Sequence, residues 1–392
     1  MRDPSISPFL YPPPKKKTLS PLKRRLLLLL LTIAGCVAAG VFYHQCINFA
    51  WIRRQWSSPV FRASVVVPES STTPSLLLVS CFFPLKSSKH SLGQYGEWMK
   101  DYLQQVESPL YIFSTPEMAD LLHTYRPAHL PPMYVNTTFT AVLEQMPHFD
   151  HPSTVNAYKT TQLELDEEGF RHNADLYAIW NGKLYMTQTV ALHSTISYDY
   201  YLWVDMGTFR NRQVYRQWPD PRQLHRLFVE GAMQTGRPTD ELILQTAVLN
   251  LASKYKHWTL ADGPLPQDFL MGGFFAGSAK AIDWYAETFY HWHDRWMKER
   301  KFVGKDQSLF NTIAISHPDR FISYKPMDRA MTCGNRWWLW QYMIASDAER
   351  EKATRWWSRI PFLWFGSPQQ CRPLPIYSMG QLLVSLFNLL SA

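Results

Sequence analysis

Residues 198–210 read YDYYLWVDMGTFR and contain a predicted strand followed directly by an aspartate. The run Tyr200 to Val204 is aromatic and β-branched with almost nothing polar, which is typical of a strand buried on both faces. It ends at Asp205, and Gly207 follows two residues later. Ligands of open α/β sheets bind outside the carboxyl ends of the strands. Asp205 is therefore a candidate to hold a divalent cation against a phosphate, although it could equally cap the next turn.

The chain before this strand alternates strand and helix signals. Apolar runs predict strands at Leu76 to Phe83, Leu110 to Phe113 and Met133 to Val135. Apolar residues recur at helical spacing over 92–106, and a second helix is predicted to begin at Pro116. This alternation predicts an α/β fold with a mostly parallel sheet flanked by helices. No glycine-rich phosphate loop follows the first strand, which disfavours P-loop and dinucleotide-binding folds.

The rest of the chain carries further helix and strand signals. A helix is predicted over 174–192 with an interruption at Asn181-Gly182, and apolar spacing predicts another over Leu242 to Leu251. Phe269 to Phe275 is strand-like and is interrupted by Gly272-Gly273. Past residue 330 the chain is rich in tryptophan, for which core packing is the default and a sugar-stacking platform the alternative. The predicted α/β domain therefore extends well beyond the opening strand.

The net charge of +8 is concentrated in one segment. Residues 1–25 contain seven basic residues and one acidic residue, so they account for +6 of it. The remaining +2 is spread without a basic cluster. A nucleic-acid footprint needs clustered basic residues on the folded domain, so no nucleic-acid partner is expected. The hydrophobic content of 46% and the aromatic content of 15% indicate a well-filled core.

An uncharged stretch of 17 residues, Leu26 to Phe42, predicts a membrane anchor, since a bilayer span needs roughly 20 apolar residues. A cleaved signal peptide is the alternative. Because the basic residues precede the stretch, the positive-inside rule leaves the N-terminus in the cytosol and sends the rest into the lumen. We therefore expect a single-pass type II protein of the Golgi or ER membrane. The predicted segments are a cytosolic tail (1–25), the anchor (26–44), a stalk (45–74), the lumenal domain (75–375) and a C-terminal apolar helix (376–392) that docks on the domain or grazes the membrane.

Two further features agree with a lumenal domain. Asn136-Thr137-Thr138 is an N-glycosylation sequon. Cys333 and Cys371 could form one disulfide in an oxidising lumen, whereas Cys81 lies in a strand-like run and is expected to be a buried thiol. No cysteine pair has metal-ligand spacing, so a structural zinc site is not expected.

Several residues supply the chemistry of a nucleotide-sugar site. A cation neutralises the diphosphate leaving group, basic side chains share the phosphate charge, a glycine turn lets backbone approach a sugar ring, and a carboxylate can orient or deprotonate the acceptor hydroxyl. The candidates are Asp205 for the cation, Lys183 and Arg210 for the phosphates, Gly272 and Gly273 for the turn, and Asp306 with Gln307 for the donor sugar or acceptor. The structural alternatives are a helix cap at Asp306, solvated surface charges at Lys183 and Arg210, and a strand bulge at the glycines.

Four motifs in order give a family resemblance. They are Trp180-Asn181-Gly182-Lys183, Tyr201 to Gly207 with Arg210, Met271 to Gly277, and Asp306-Gln307. Over about residues 75–325 the chain resembles the HtrL/YibB-like family, which is similar to GT-A nucleotide-diphospho-sugar transferases. The resemblance implies a GT-A-like sheet with Asp205 at the nucleotide edge, where many GT-A enzymes have a metal-binding Asp-x-Asp motif. Here Gly207 stands in the place of the second carboxylate.

These observations together predict a membrane-anchored glycosyltransferase. It would move a sugar from a nucleotide-sugar donor to a hydroxyl of a glycan, glycoprotein or glycolipid, with Mn²⁺ or Mg²⁺ as a possible cofactor at Asp205. The alternative is a non-catalytic lumenal glycan-binding or scaffold protein on the same fold, which the missing second carboxylate and the tryptophan-rich C-terminal part favour. A phosphodiester hydrolase is a weaker option because the sequence has no His/Asp cluster of the two-metal type.

Overall fold

An eight-stranded sheet forms the centre of the computed structural model, which describes residues 73–85, 90–139, 142–210, 215–325, 337–357 and 374–387. The strands are β1 (Leu76–Phe82), β2 (Leu110–Ser114), β3 (Met133–Asn136), β4 (Tyr200–Val204), β5 (Ile243–Leu244), β6 (Phe274–Gly277), β7 (Phe321–Tyr324) and β8 (Ile376–Ser378). The described residues belong to one compact unit within 67–392.

Helices cover both faces of this sheet. Those that precede β4 are α1 (Leu92–Gln105), α2 (Pro116–Tyr125), α3 (Val142–Gln145), α4 (Pro152–Lys159), α5 (Thr161–Leu165), α6 (Ala174–Asn181) and α7 (Lys183–His193). Those that follow it are α8 (Pro221–Thr235), α9 (Ala279–Lys298), α10 (Asp306–Ser316), α11 (Leu339–Met343), α12 (Asp347–Trp357) and α13 (Met379–Phe387). Short 3₁₀ turns occupy Thr239–Glu241, Ser253–Tyr255 and Leu260–Asp262.

The strand order β3-β2-β1-β4-β6-β5-β7-β8 confirms a mixed α/β fold with a mostly parallel sheet. The first four strands in this order are parallel, with Leu78 paired to Leu202 in β4. On its other side β4 pairs antiparallel with β6, so that Trp203 lies opposite Phe275. The strand at 200–204 is therefore internal, as its composition predicted.

Burial on both faces explains the composition of β4. All five of its residues are buried. Because side chains alternate along a strand, Tyr201 and Trp203 join one apolar cluster, while Leu202 and Val204 join a second cluster on the other face. A strand whose two faces are both covered needs no polar positions, so it reads as one continuous apolar run.

The helix predicted over Leu242 to Leu251 is wrong. This segment forms the short strand β5 and then continues without helix, tied to the residues around it. Met271 N–H donates to Thr246 O at 2.8 Å, and Val248 N–H donates to Phe269 O at 2.8 Å. The segment is buried between neighbouring chain segments, and an apolar run of that kind cannot be assigned to helix or strand by periodicity alone.

The predicted interruption at Asn181-Gly182 separates α6 from α7. Gly182 N–H still donates to Ala178 O at 2.8 Å, but a new helix begins at Lys183. A Cβ at Gly182 would lie 2.8 Å from Ala178 O and would overlap the Met146 side chain. Only glycine fits this junction, and the junction makes Lys183 the first residue of α7.

The C-terminal described segment completes the sheet. β8 pairs antiparallel with β7, and α13 buries Met379 and Leu382 against the core. Cys81 is a buried free thiol, as expected. The predicted anchor at 26–44, the tail, the stalk up to residue 72 and the pair Cys333 and Cys371 lie outside the described residues. Across the described ranges, none of the helices combines the length and the apolar character that a bilayer crossing requires.

Candidate active site

A cavity of about 550 Å³ opens at the carboxyl ends of the adjacent parallel strands β1 and β4. Two groups of residues line it. Those on or after β1 and β4 and on α1 include Phe82, Pro84, Tyr95, Asp205, Gly207 and Arg210. Those from the segment before α7 and from the start of α10 include Glu168, His172, Trp180, Lys183, Lys305 and Gln307. The sheet edge that the sequence predicted is thus the floor of a real concavity.

Lys183, Asp205 and Asp306 converge on one point beside this cavity. Lys183 Nζ lies 3.1 Å from Asp205 Oδ1 and 2.9 Å from Asp306 Oδ2, and it donates to Gly272 O at 2.9 Å. The side chains of Lys183 and Asp306 are 4% and 6% exposed, whereas that of Asp205 is 39% exposed. The ammonium is therefore buried, and Asp205 is the carboxylate of this cluster that reaches the cavity.

The electrostatics of the cluster keep Lys183 charged. Burial alone would lower the pKa of Lys183, but Asp205 and Asp306 outweigh it and raise that pKa above its ordinary value. Burial raises the pKa of Asp306, and the nearby Lys183 ammonium opposes that rise. The Lys183 ammonium thus pairs with both carboxylates, and the two carboxylates keep Lys183 charged.

Trp203 and Gly273 fix the orientation of Asp205. Trp203 Nε1–H donates to Asp205 Oδ1 at 2.7 Å, and the Asp205 backbone N–H donates to Gly273 O at 3.0 Å. Trp203 itself is fully buried in β4. The strand β4 thus supplies, through Trp203, the hydrogen bond that orients the Asp205 carboxylate.

The glycine pair is needed for close packing of the two carboxylates. A Cβ at Gly273 would lie 3.0 Å from Asp205 Oδ2, and a Cβ at Gly272 would lie 3.3 Å from Asp306 Oδ1. Such distances are shorter than ordinary van der Waals contacts. The pair does immediately precede β6, but its function here is to let backbone approach both acids.

Asp306 lies behind the cavity wall rather than in it. It is the first residue of α10, the N-cap position is Lys305, and Asp306 Oδ1 accepts the Gln307 backbone N–H at 2.7 Å. Gln307 lines the cavity, and its Nε2 donates to Leu270 O. Any role of Asp306 toward a sugar or an acceptor stays a prediction, and in this arrangement it would act through Lys183.

Arg210 lies in the cavity wall with its guanidinium stacked on aromatic rings. Its Cζ is 4.5 Å from the Trp98 ring centroid and 5.6 Å from that of Trp338, and Nε donates to Gly207 O at 2.8 Å. A Cβ at Gly207 would lie 3.4 Å from both the Trp98 and Tyr95 rings and 3.7 Å from Arg210 Nη2. The position of the missing second carboxylate thus faces rings and a cation.

The structure adds a polar pair that the sequence did not single out. His172 lines the cavity, and its Nδ1 lies 2.7 Å from Asp166 Oδ2. The two residues are six positions apart in a segment without helical or strand periodicity, so no spacing rule joins them. The only local signal was Asn173, which caps α6 and ends this turn through a hydrogen bond to Leu176 N–H.

Asp205 is the one carboxylate of the Lys183 cluster, among the described residues, that a divalent cation in the cavity could contact. Among described residues that line the cavity, Arg171, Lys183, Arg210 and Lys305 face Glu168, Asp205 and Asp268, and Asp306 adds one more negative charge behind the wall. These formal charges cancel, so they leave the charge of a bound diphosphate unneutralised. One or two carboxylates with substrate phosphates are the usual Mg²⁺ ligands. No group of three or more His, Cys, Asp or Glu in the described ranges could hold a metal.

Comparison with known proteins gives no family assignment: no family model and no curated protein matches the chain. Among solved structures, it is similar to the apo form of mouse xyloside xylosyltransferase 1, with 12% identity over 78% of this chain and 98% of that chain, and a TM-score of 0.35. It is also similar to the Mn/GDP form of core-mannan synthase A from Aspergillus fumigatus, with 11% identity over 65% and 73% of the two chains, and a TM-score of 0.38. Both TM-scores lie below 0.5, so the proposals below rest on the geometry of the site. The resemblance to the HtrL/YibB-like family stays a prediction.

Proposed function

We propose that this protein is a glycosyltransferase with a GT-A-like fold that uses a nucleotide-diphospho-sugar donor. The observation that carries the proposal is the convergence of Lys183, Asp205, Asp306 and the Gly272-Gly273 turn at the carboxyl edge of β4, beside an open cavity. Fixed positive charge and a carboxylate that can hold a cation beside a cavity are suited to stabilise the negative charge that develops on a departing diphosphate.

The basic residues of the site would have different roles toward the phosphates. The Lys183 ammonium already contacts two carboxylates and a carbonyl, so its main effect is to hold Asp205 and to contribute a fixed positive field. Arg210 Nε donates to Gly207 O, and no other group in the described ranges accepts from its guanidinium, so its remaining N–H groups could bind phosphate oxygens at the cavity. Lys305, partly exposed and 3.2 Å from Asp268 Oδ1, is a second candidate.

Asp205 would hold Mn²⁺ or Mg²⁺, and a bound cation would supply Lewis-acid stabilisation of the departing diphosphate. Trp203 keeps the carboxylate in place through its 2.7 Å hydrogen bond. The Gly272-Gly273 turn lets a donor sugar approach the backbone, and Gln307 lines the cavity beside it. The acceptor is a hydroxyl of a glycan, glycoprotein or glycolipid.

The binding of a panel of nucleotide sugars tests this function. Isothermal titration with UDP-glucose, UDP-galactose, UDP-N-acetylglucosamine, UDP-xylose and GDP-mannose, each with and without Mn²⁺, is expected to give at least one binder. Asp205→Asn keeps the shape of the side chain and is expected to lose the metal-dependent part of that binding and the transfer activity. No binding to any donor by a protein shown to be folded would overturn the proposal.

A non-catalytic glycan binder is the second candidate function. Aromatic residues at the cavity, among them Trp180 and Trp338, favour it because sugar rings stack on such side chains. If the protein is a binder, Asp205→Asn should keep the glycan affinity of wild type, and there should be no turnover for a variant to change. A glycan array probed with wild type and Asp205→Asn separates the two functions.

We also propose that the catalytic domain is held in the lumen of the Golgi or ER by the anchor at 26–44 in a type II orientation. The uncharged stretch and the basic residues before it support this placement. Protease added to intact microsomes is expected to remove only the N-terminal tail. Digestion of the 75–375 domain without detergent would contradict the orientation.

A further inference from the structure

His172 lines the cavity and forms a pair with Asp166, which lies outside the cavity lining. His172 Nδ1 lies 2.7 Å from Asp166 Oδ2, and the same oxygen accepts the Tyr177 hydroxyl at 2.6 Å. The other oxygen accepts the Glu168 backbone N–H at 2.9 Å. The side chains of His172 and Asp166 are 15% and 7% exposed. Asp166 is thus held by three donors, one of which is the imidazole.

These contacts set the tautomer of His172. Burial acts to raise the pKa of Asp166, but hydrogen bonds from Tyr177 and His172 outweigh it and hold that pKa below its ordinary value. An ionised Asp166 accepts a proton-bearing Nδ1, so the neutral imidazole has its lone pair on Nε2. Trp180 packs edge-on against the imidazole with ring centroids 4.9 Å apart, which restricts ring rotation.

The remaining nitrogen of His172 has no competing partner among the described residues. His172 lines the cavity, and none of their groups hydrogen-bonds its Nε2. The charged residues that line the same cavity in the described part of the chain are Glu168, Arg171, Lys183, Asp205, Arg210, Asp268 and Lys305. A hydroxyl that entered the cavity could therefore reach an acceptor nitrogen whose ring is already oriented.

The carboxylates of the main cluster are less suited to accept a proton. Asp306 is buried, is paired with Lys183 and does not line the cavity. Asp205 Oδ1 accepts from Trp203 and lies 3.1 Å from Lys183 Nζ, and Asp205 Oδ2 accepts from the same ammonium at 3.3 Å, so both of its oxygens already have partners. Histidine is the side chain that most often acts as a general base.

We propose that His172 is the general base for the acceptor hydroxyl and that Asp166 is its positioning residue. This inference rests on the proposed glycosyltransferase function. The acceptor oxygen bonds to the anomeric carbon while the bond from that carbon to the diphosphate oxygen breaks. The electron pair leaves with the nucleoside diphosphate, and the hydroxyl proton moves to His172 Nε2. Direct displacement of this kind inverts the configuration at the anomeric carbon.

The test compares donor binding with turnover in the full chain. His172→Gln is expected to bind the sugar nucleotide that wild type binds in the UDP- and GDP-sugar panel within about threefold. Its turnover, measured as released nucleoside diphosphate, should fall by roughly 10²- to 10⁴-fold. Imidazole added to His172→Ala should restore part of the turnover, which a purely structural residue would not permit. His123→Gln, on the exposed surface of α2, is the matched control and should behave as wild type.

Asp166→Asn tests the positioning role. Asparagine can no longer favour the Nδ1–H tautomer or stabilise the imidazolium, so turnover should fall while donor binding stays near wild type.

The outcomes separate this inference from the function beneath it. Turnover of His172→Gln equal to wild type, failure of imidazole to rescue His172→Ala, or a product of retained configuration overturns the base assignment and leaves the glycosyltransferase function intact. If folded wild type neither binds nor turns over any donor, the proposed function fails and this inference fails with it.

Discussion

Lys183 is the residue on which the site depends, because one buried ammonium holds two carboxylates. Removal of one partner of a buried ion pair leaves an uncompensated charge and costs about 3–5 kcal/mol. Lys183→Met should therefore lower the free energy of unfolding by about that amount in urea denaturation. The exposed pair Lys159–Glu144 has a similar length of 2.7 Å, and Lys159→Met is the matched control with a much smaller expected loss.

The loss in Lys183→Met should depend on pH. Burial already raises the pKa of Asp306, and removal of Lys183 takes away the main influence that lowers it. An acid whose pKa is raised in the folded state loses stability as pH rises from the unfolded value through the folded one. The variant should thus be closer to wild type near about pH 5 than near about pH 8. An equal deficit at both values would contradict a buried, unpaired Asp306.

Gly273 gives a second prediction at the residue scale. A Cβ there meets Asp205 Oδ2 at 3.0 Å and Met271 Cε at 3.2 Å, so Gly273→Ala must displace the carboxylate that faces the cavity. Donor binding measured by calorimetry should fall about tenfold or more, roughly the effect of losing one charge-assisted contact. Gly93→Ala in α1 is the control, since its Cβ meets only Ser91 Oγ at 3.9 Å. Equal binding by the two variants would show that the turn tolerates a side chain.

At the scale of elements, the junction between α6 and α7 determines where Lys183 begins its helix. Gly182→Ala would place a Cβ 2.8 Å from Ala178 O and against Met146, so the two helices must move apart. We expect the variant to lose both thermal stability and donor binding, because Lys183 moves with the start of α7. Thermal unfolding and calorimetry on the same preparation measure both effects. Normal binding with reduced stability would mean that the junction serves packing alone.

The pairing of β4 with β1 and β6 explains why the site lies at this edge. β1 and β4 are parallel, so their carboxyl ends meet, and the antiparallel β6 begins where β4 ends. The Gly272-Gly273 turn immediately before β6 therefore falls beside Asp205. The order of the strands thus brings Lys183 and Asp306, which lie far apart in the sequence, into contact.

At the scale of the whole molecule, ligand and cation should stabilise the fold together. Asp205 is the single cluster carboxylate open to the cavity among the described residues, so Mn²⁺ alone is expected to bind weakly. When a nucleoside diphosphate and Mn²⁺ bind together, at a concentration of about 100 times the dissociation constant, the free energy of unfolding should rise by about 2.7 kcal/mol. Differential scanning fluorimetry with UDP or GDP, Mn²⁺, and each pair should give more than the sum of the separate shifts.

Asp205→Asn provides the control for this linkage. It should retain the shift from the nucleotide alone and lose the additional shift from Mn²⁺, because an amide is a poorer ligand than a carboxylate. A full Mn²⁺ increment in the variant would mean that the cation binds elsewhere.

Local pattern alone determined a large part of this protein. The apolar run 200–204 predicted a buried internal strand, the strand–helix alternation predicted a mostly parallel sheet, and the break at Gly182 was predicted in place. These features could be predicted because the spacing of buried side chains along the sequence reflects the local secondary structure. The same pattern failed over 242–251, where burial on all sides removes the periodicity that separates helix from strand.

Only the tertiary structure decided how the chemical groups meet. It brought Lys183 between Asp205 and Asp306, put Asp306 behind the wall rather than in it, and turned Gly207 toward rings and Arg210. It also joined His172 to Asp166, a pair that no spacing rule marks. Contacts of this kind depend on the path of the backbone between distant segments, and charge and hydrogen bonding act over a few ångströms of space. The sequence therefore names the candidates, and the fold assigns their partners.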